Sequence, residues 1–303
     1  MTEESIPAGE TTVRVEEFEA EGPIEIDVSV AIGRVTIDLT GESGIHAEVR
    51  RDGGEQQPWV DGMTSLLSWV GERFGDQFGG SGSAGSADDA VAQTRIEKVG
   101  NRLVVQAPKA WQLKNVPLAV TVRAPAGSHL EVRAGAADVT VTGSAGRADL
   151  LTGAGKVALE RADGSAIVRT GTGDVKLGPT LSGLQLRTGS GSVEASSVSG
   201  SASVATGTGD VWLGEVAGEV LARTGSGDLS VADAASGTLE LTTGSGEVRV
   251  GIRGGVSAEI DLSSTTGSVS SELDVAESAP SEVSLKVRAR TGTGDAVVTS
   301  AAG

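Results

Sequence analysis

From about residue 128 onward the apolar residues of this chain fall in columns. Val132, Leu150, Val168, Leu186, Val204, Ala222 and Leu241 stand two positions before a recurring site. Leu130, Ala148, Ala166, Leu184, Ala202, Val220 and Leu239 stand four positions before it. Five positions after it come Val139, Val157, Val175, Val193, Val211, Leu229 and Val248, and seven after it come Val141, Leu159, Leu177, Ala195, Leu213, Val231 and Val250. The site itself is the threonine of Thr-Gly-x-Gly, at Thr152, Thr170, Thr188, Thr206 and Thr224 in steps of 18 residues, then at Thr243 after 19. Ala134 heads a degenerate copy, and Ser264 and Thr291 head two later copies after wider gaps, which makes nine rows.

Each row therefore holds two short period-two stretches joined at a glycine corner, the pattern of half-buried strands. A lone row of this length cannot bury its apolar face, but stacked rows can share one core. The expected fold is all-β, a single-stranded β-helix or β-solenoid with coils of about 18 residues. Nine coils at a strand spacing of about 4.8 Å give a rod of roughly 43 Å. Inward aliphatic residues drive the stacking at about 1.5–3 kcal/mol each. A β-sandwich is the competing fold, yet it has no reason to hold one register over six rows. The threonine shares the parity of the inward residues, so its hydroxyls are expected to bond to one another or to the backbone of the next coil.

Outside the array, residues 11–50 alternate at Ile24, Ile26, Val28 and Val30, turn at Gly33, and resume at Val35 and Ile37. This spacing predicts a degenerate first coil or a flanking strand pair. Further strands are expected over 95–122, through Ile96, Leu103, Val105, Leu118, Val120 and Val122. Between these regions Trp59, Val60, Met63, Leu66, Leu67, Val70, Phe74 and Phe78 recur at helical spacing, and Trp69 widens the stripe. The expected organisation is thus flanking strands over 1–54, an amphipathic helix with a Gly/Ser linker inserted over 55–92, and the repeat array over 93–303. Asp88 and Asp89 are expected to cap a second, short helix through Ala90, Val91 and Ala92. The aromatic helix either covers an open end of the rod or docks a partner. Trp59, Met63, Leu66, Leu67, Trp69, Val70, Phe74 and Phe78 are the candidate interaction residues.

Charge narrows the partners. The chain has 303 residues, with 41 acidic against 24 basic side chains and a net charge of −17. Nucleic acid is a poor partner, because that affinity comes mostly from neutralising phosphates with Lys and Arg. An anionic membrane is disfavoured for the same reason. There is no cysteine, hence no thiolate metal site or cysteine nucleophile. The opening Met1-Thr2-Glu3-Glu4-Ser5 is acidic and leads into no apolar run, and no stretch of 18 apolar residues follows. A cytoplasmic location is the expectation.

Few residues could carry chemistry, and no cofactor is expected. Acidic residues follow the corner glycine at Asp174, Asp210, Asp228, Glu247 and Asp295, but Lys156 and Ser192 break the column. Calcium needs six to eight oxygens, and this column offers one carboxylate per coil with gaps. The alternative is a solvated face on which Arg169, Arg187 and Arg223 pair with those acids for little gain. Gly153-Ala-Gly155-Lys156 is followed by Val157 rather than Ser or Thr, so it is no phosphate-binding loop. His46 and His129 are the only histidines, too few for a three-histidine metal site. No Gly-x-Ser-x-Gly elbow lies between a strand and a helix.

Arg169-Thr-Gly-Thr-Gly-Asp-Val-Lys-Leu177 and its copies resemble an actinobacterial family of β-strand-repeat proteins of unknown function, adhesin-like in label. Val250-Gly-Ile-Arg-Gly-Gly255, Val287-Arg-Ala-Arg-Thr291-Gly-Thr-Gly-Asp295 and Leu103-Val-Val-Gln-Ala-Pro108 with its following lysine are similar to segments of that family. The resemblance implies a β-helical or solenoid fold and no accepted enzymatic activity, and related domains occur in bacterial envelope-stress proteins. The expected function is a non-enzymatic scaffold for protein interaction or self-assembly, through the aromatic helix or through strand pairing at an uncovered C-terminal coil. An envelope-stress adaptor and a carbohydrate-active β-helix are the alternatives. The second would need sugar platforms, and the array has only Trp212.

Overall fold

The computed structural model describes residues 12–53, 87–110, 113–273 and 283–301. These residues are all-β apart from one six-residue helix, Ala87–Ala92, and their twenty strands join in one hydrogen-bonded network. The candidate residues Trp59, Met63, Leu66, Leu67, Trp69, Val70, Phe74 and Phe78 lie outside the described residues.

Rows pair with rows in parallel and in register. Leu184, Leu186 and Thr188 face Ala202, Val204 and Thr206, and these face Val220, Ala222 and Thr224 in turn. After the corner, Val193 faces Val211, which faces Leu229. Both strand lines send their alternate residues into one apolar core, where Val168, Leu186, Val204 and Leu241 are fully buried. Neighbouring rows along the array are parallel, which is not the arrangement of an antiparallel sandwich. The corner needs glycine for two reasons, which Gly209 illustrates. Its φ is +137°, and a Cβ there would lie 2.2 Å from the carbonyl oxygen of Gly191 in the row below.

The order of stacking departs from the order of the chain at both ends. Strand Glu25–Gly41 lies against His129–Ala145, with Ile26 facing Leu130 and Ile37 facing Val141. Its other edge pairs in parallel with Arg102–Gln106 and Leu118–Pro125. An early segment is thus inserted between two later ones. At the far end, Leu285–Thr293 pairs with Leu229–Ser245 on one side and with Ala258–Thr266 on the other. The C-terminal coil is therefore covered, which corrects the expectation that it forms the open end. The outermost row is the Ser264 row. Polarity explains the exchange: Leu285, Val287 and Ala289 are buried, whereas the Ser264 row continues through Ser268, Ser270 and Ser271, which suit a position beside water.

At the opposite end the core is covered. Strand Ile45–Arg51 runs antiparallel to Leu118–Pro125, Val13–Phe18 runs antiparallel to Ile45–Arg51, and Arg95–Val99 runs antiparallel to Arg102–Gln106. Helix Ala87–Ala92 packs on this layer and buries Ala90 and Val91. Asp88 and Asp89 lie inside its first turn rather than at the capping position expected of them, where their charge still favours the helix dipole.

Candidate functional site

Two ladders run along the corner. The threonine hydroxyls are buried and bond to backbone. Thr170, Thr188, Thr206, Thr224 and Thr243 each donate to the carbonyl two residues ahead, at 3.0–3.3 Å. Thr152, Thr224, Thr243 and Thr291 also reach the corner carbonyl of the row below, on Ala137, Gly209, Gly227 and Gly246. Of the two arrangements expected, the column uses backbone acceptors. The carbonyl two residues ahead also accepts a backbone N–H from the row below, as Ser226 does from Gly209.

The acidic column has a backbone partner as well. Asp138, Asp174, Asp210, Asp228 and Asp295 accept the N–H of Lys156, Ser192, Asp228, Glu247 and Ser268, each one row further along, at 2.7–3.1 Å. The bond from Ser268 holds the Asp295 carboxyl below the ordinary aspartate range. The expected pairing of these acids with arginine is corrected accordingly. Arg223 pairs with Glu240 at 3.4 Å and Arg169 reaches Gln185 at 3.5 Å. Those arginines stand on the strand before the corner, so their side chains meet residues of that strand line instead.

Two arginines bind pairs of acids that the parallel register sets side by side. Asp27 faces Glu131, and Arg102 donates to both, at 2.7 and 2.9 Å. Glu215 faces Asp233, and Arg253 donates to both. The two carboxylates raise the pKa of Arg253 further above its ordinary range. Among the described residues no group of three or more acids or histidines is arranged to hold a metal ion. His129 is exposed, and His46 lies 3.3 Å from Glu17. Trp212 is exposed, with its indole against Gly214.

The open end is the main feature that the rows themselves do not satisfy. Ile260 and Leu262 occupy the inward column but stay half-buried, and Val269 is 48% exposed. Their counterparts one row in, Val287, Ala289 and Ala296, are 0–2% exposed. Strand Ala258–Thr266 pairs along one edge only, so alternate N–H and C=O groups on its other edge have no strand partner among the described residues. Two sequence signals could have singled this row out: Ser271 breaks the apolar column seven positions after the head of the row, and Ser264 replaces the threonine.

Residues 119–303 match the Toastrack DUF4097 family. Among solved structures, the chain is similar to a candidate adhesin from Bacteroides fragilis NCTC 9343, with 13% identity, 95% of this chain and 97% of that one covered, and a TM-score of 0.44. A candidate adhesin from Parabacteroides distasonis ATCC 8503 shares 9% identity over 95% of this chain and 98% of that one, with a TM-score of 0.37. A candidate cell adhesion protein from Clostridium sporogenes ATCC 15579 shares 10% identity over 96% and 100%, with a TM-score of 0.23. No curated protein matches the chain.

Proposed function

The chain belongs to the Toastrack DUF4097 family, and from that premise we propose that it is a non-enzymatic β-solenoid scaffold for protein interaction or self-assembly. The in-register parallel ladders support the solenoid reading. One observation carries the functional reading: the core is covered at one end by antiparallel strands and a helix, and left half-buried at the other along the strand edge of Ala258–Thr266. An unpaired strand edge is a ready template for another strand. A strand added there would extend the ladder and cover Ile260, Leu262 and Val269 together.

A second copy must approach against a charge of −17. That repulsion is largely screened beyond about 8 Å at physiological salt, so self-association should strengthen with ionic strength. Light scattering tests the reading. The expected result is a mass that rises with protein concentration and salt, and falls to the monomer in Leu262→Lys. Loss of association on deleting residues 59–78, with Leu262→Lys unaffected, assigns it to the aromatic segment instead. A monomer under every condition removes self-assembly and leaves a protein partner. Cleavage of any polysaccharide by the purified chain would overturn the non-enzymatic part.

A further inference from the structure

One row lacks the four-residue corner. Between Arg102–Gln106 and Leu118–Pro125 the chain runs through a longer connection, of which Ala107–Ala110 and Leu113–Pro117 are described. Ala107, Pro108, Lys109 and Lys114 of this connection, with the corner of the row above it and the corner beyond that, line an open cleft of about 260 Å³. Lys109, Lys114 and Arg133 line it, together with Ser29 and Gln106, and none of its lining residues is a carboxylate. In a chain with 41 acids this is a local reversal of sign.

Charge balance around the cleft is specific. Arg102 and Arg133 share Glu131, and Arg102 also holds Asp27, so two guanidinium groups meet two carboxylates. Lys109 and Lys114 make no ion pair among the described residues. Among the described residues, two positive charges are thus left without a counter-charge beside a concave site. Ser29 and Gln106 add a hydroxyl and an amide that can donate to oxygen, and Val30, Ala31 and Ala134 supply an apolar wall.

We propose that the cleft between Lys109, Lys114 and Arg133 binds a small phosphate-bearing anion. A phosphomonoester carries about −1.5 to −2 charge at neutral pH, which matches the two unpaired lysines, whereas a monocarboxylate leaves one unmet. Its terminal oxygens can take hydrogen bonds from both ammonium groups, while Arg133 stays paired with Glu131 beside them. The volume leaves room for a small organic body beside the apolar wall. This site is independent of the open strand edge, and the scaffold reading can fail without it.

Calorimetry at low salt tests the site, with inorganic phosphate, glucose 6-phosphate and acetate as probes against the full chain. Both phosphate probes should bind and acetate should bind far more weakly. The double variant Lys109→Ala/Lys114→Ala should weaken phosphate binding about tenfold or more, since it removes two charge-assisted bonds. Both lysines are exposed, so the variant should keep the wild-type melting temperature. Lys176→Ala/Lys286→Ala, with the same change in net charge at remote sites, should leave binding unchanged. No binding of either phosphate probe at millimolar concentration, or equal losses in the two double variants, would overturn the proposal.

Discussion

The hydroxyl of Ser264 donates to the carbonyl of Gly294 at 2.8 Å, although Gly294 comes 30 residues later in the chain. In the regular rows the same bond runs from a threonine to the corner glycine of the row before it, as from Thr224 to Gly209. Thr291 in turn reaches Gly246. The three bonds together fix the stacking order as Thr243, Thr291 and Ser264. The last row in the chain is the second to last in the stack.

Core truncations should report that order. Leu186 is fully buried at mid-rod, and Leu186→Ala should cost about 2–5 kcal/mol. Leu262 lies in the same column but at the open end, so Leu262→Ala should cost about 1 kcal/mol or less. Urea unfolding of the two variants gives the comparison. Equal losses would mean that the open end is covered.

The corner should tolerate no side chain. Gly209→Ala places a Cβ against the Gly191 carbonyl and a non-glycine residue at φ +137°, so a loss of about 2–5 kcal/mol is expected. Gly44 also has positive φ, at +77°, but has open space around it, and Gly44→Ala should cost about 1–2 kcal/mol. Thermal melts separate the conformational cost from the steric one.

The threonine ladder predicts a sharp contrast between two substitutions of similar size. Thr224→Val keeps the volume but leaves the Gly209 carbonyl without its hydroxyl donor, at a cost of about 1–3 kcal/mol. Thr224→Ser keeps the donor and should lose less than Thr224→Val. Should valine prove as stable as serine, the hydroxyl contributes nothing beyond its packing.

Acid should loosen the outermost row through Asp295. The backbone N–H of Ser268, and then its side-chain hydroxyl, depress the folded-state pKa of this carboxyl. A depressed pKa adds stability above the unfolded value, about 3.9, and that part is lost as pH falls through the folded value. Asp295→Asn keeps an oxygen acceptor but cannot titrate. Its unfolding midpoint should therefore fall less than that of wild type between pH 6 and pH 2. Parallel pH profiles would show that Asp295 plays no part.

Much of the row pattern was legible in one dimension, and the candidate anion site was not. Leu186, Val204 and Ala222 announce a shared column because a strand repeats every two residues and a row about every 18. Lys109 and Arg133 announce nothing, since they stand 24 residues apart on elements whose proximity depends on Glu25–Gly41 lying between them. The aromatic stripe from Trp59 to Phe78 reads clearly as a pattern and lies outside the described residues.

Local alternation and the glycine corners were enough to determine strands, turns, inward faces and the row as a unit, because each depends on residues within a few positions of one another. Tertiary structure alone decided which row lies on which. Every row offers nearly the same columns, so one register is compatible with many neighbours. The choice falls to total burial, which draws the apolar Val287 row inward and leaves the serine-rich Ser264 row beside water.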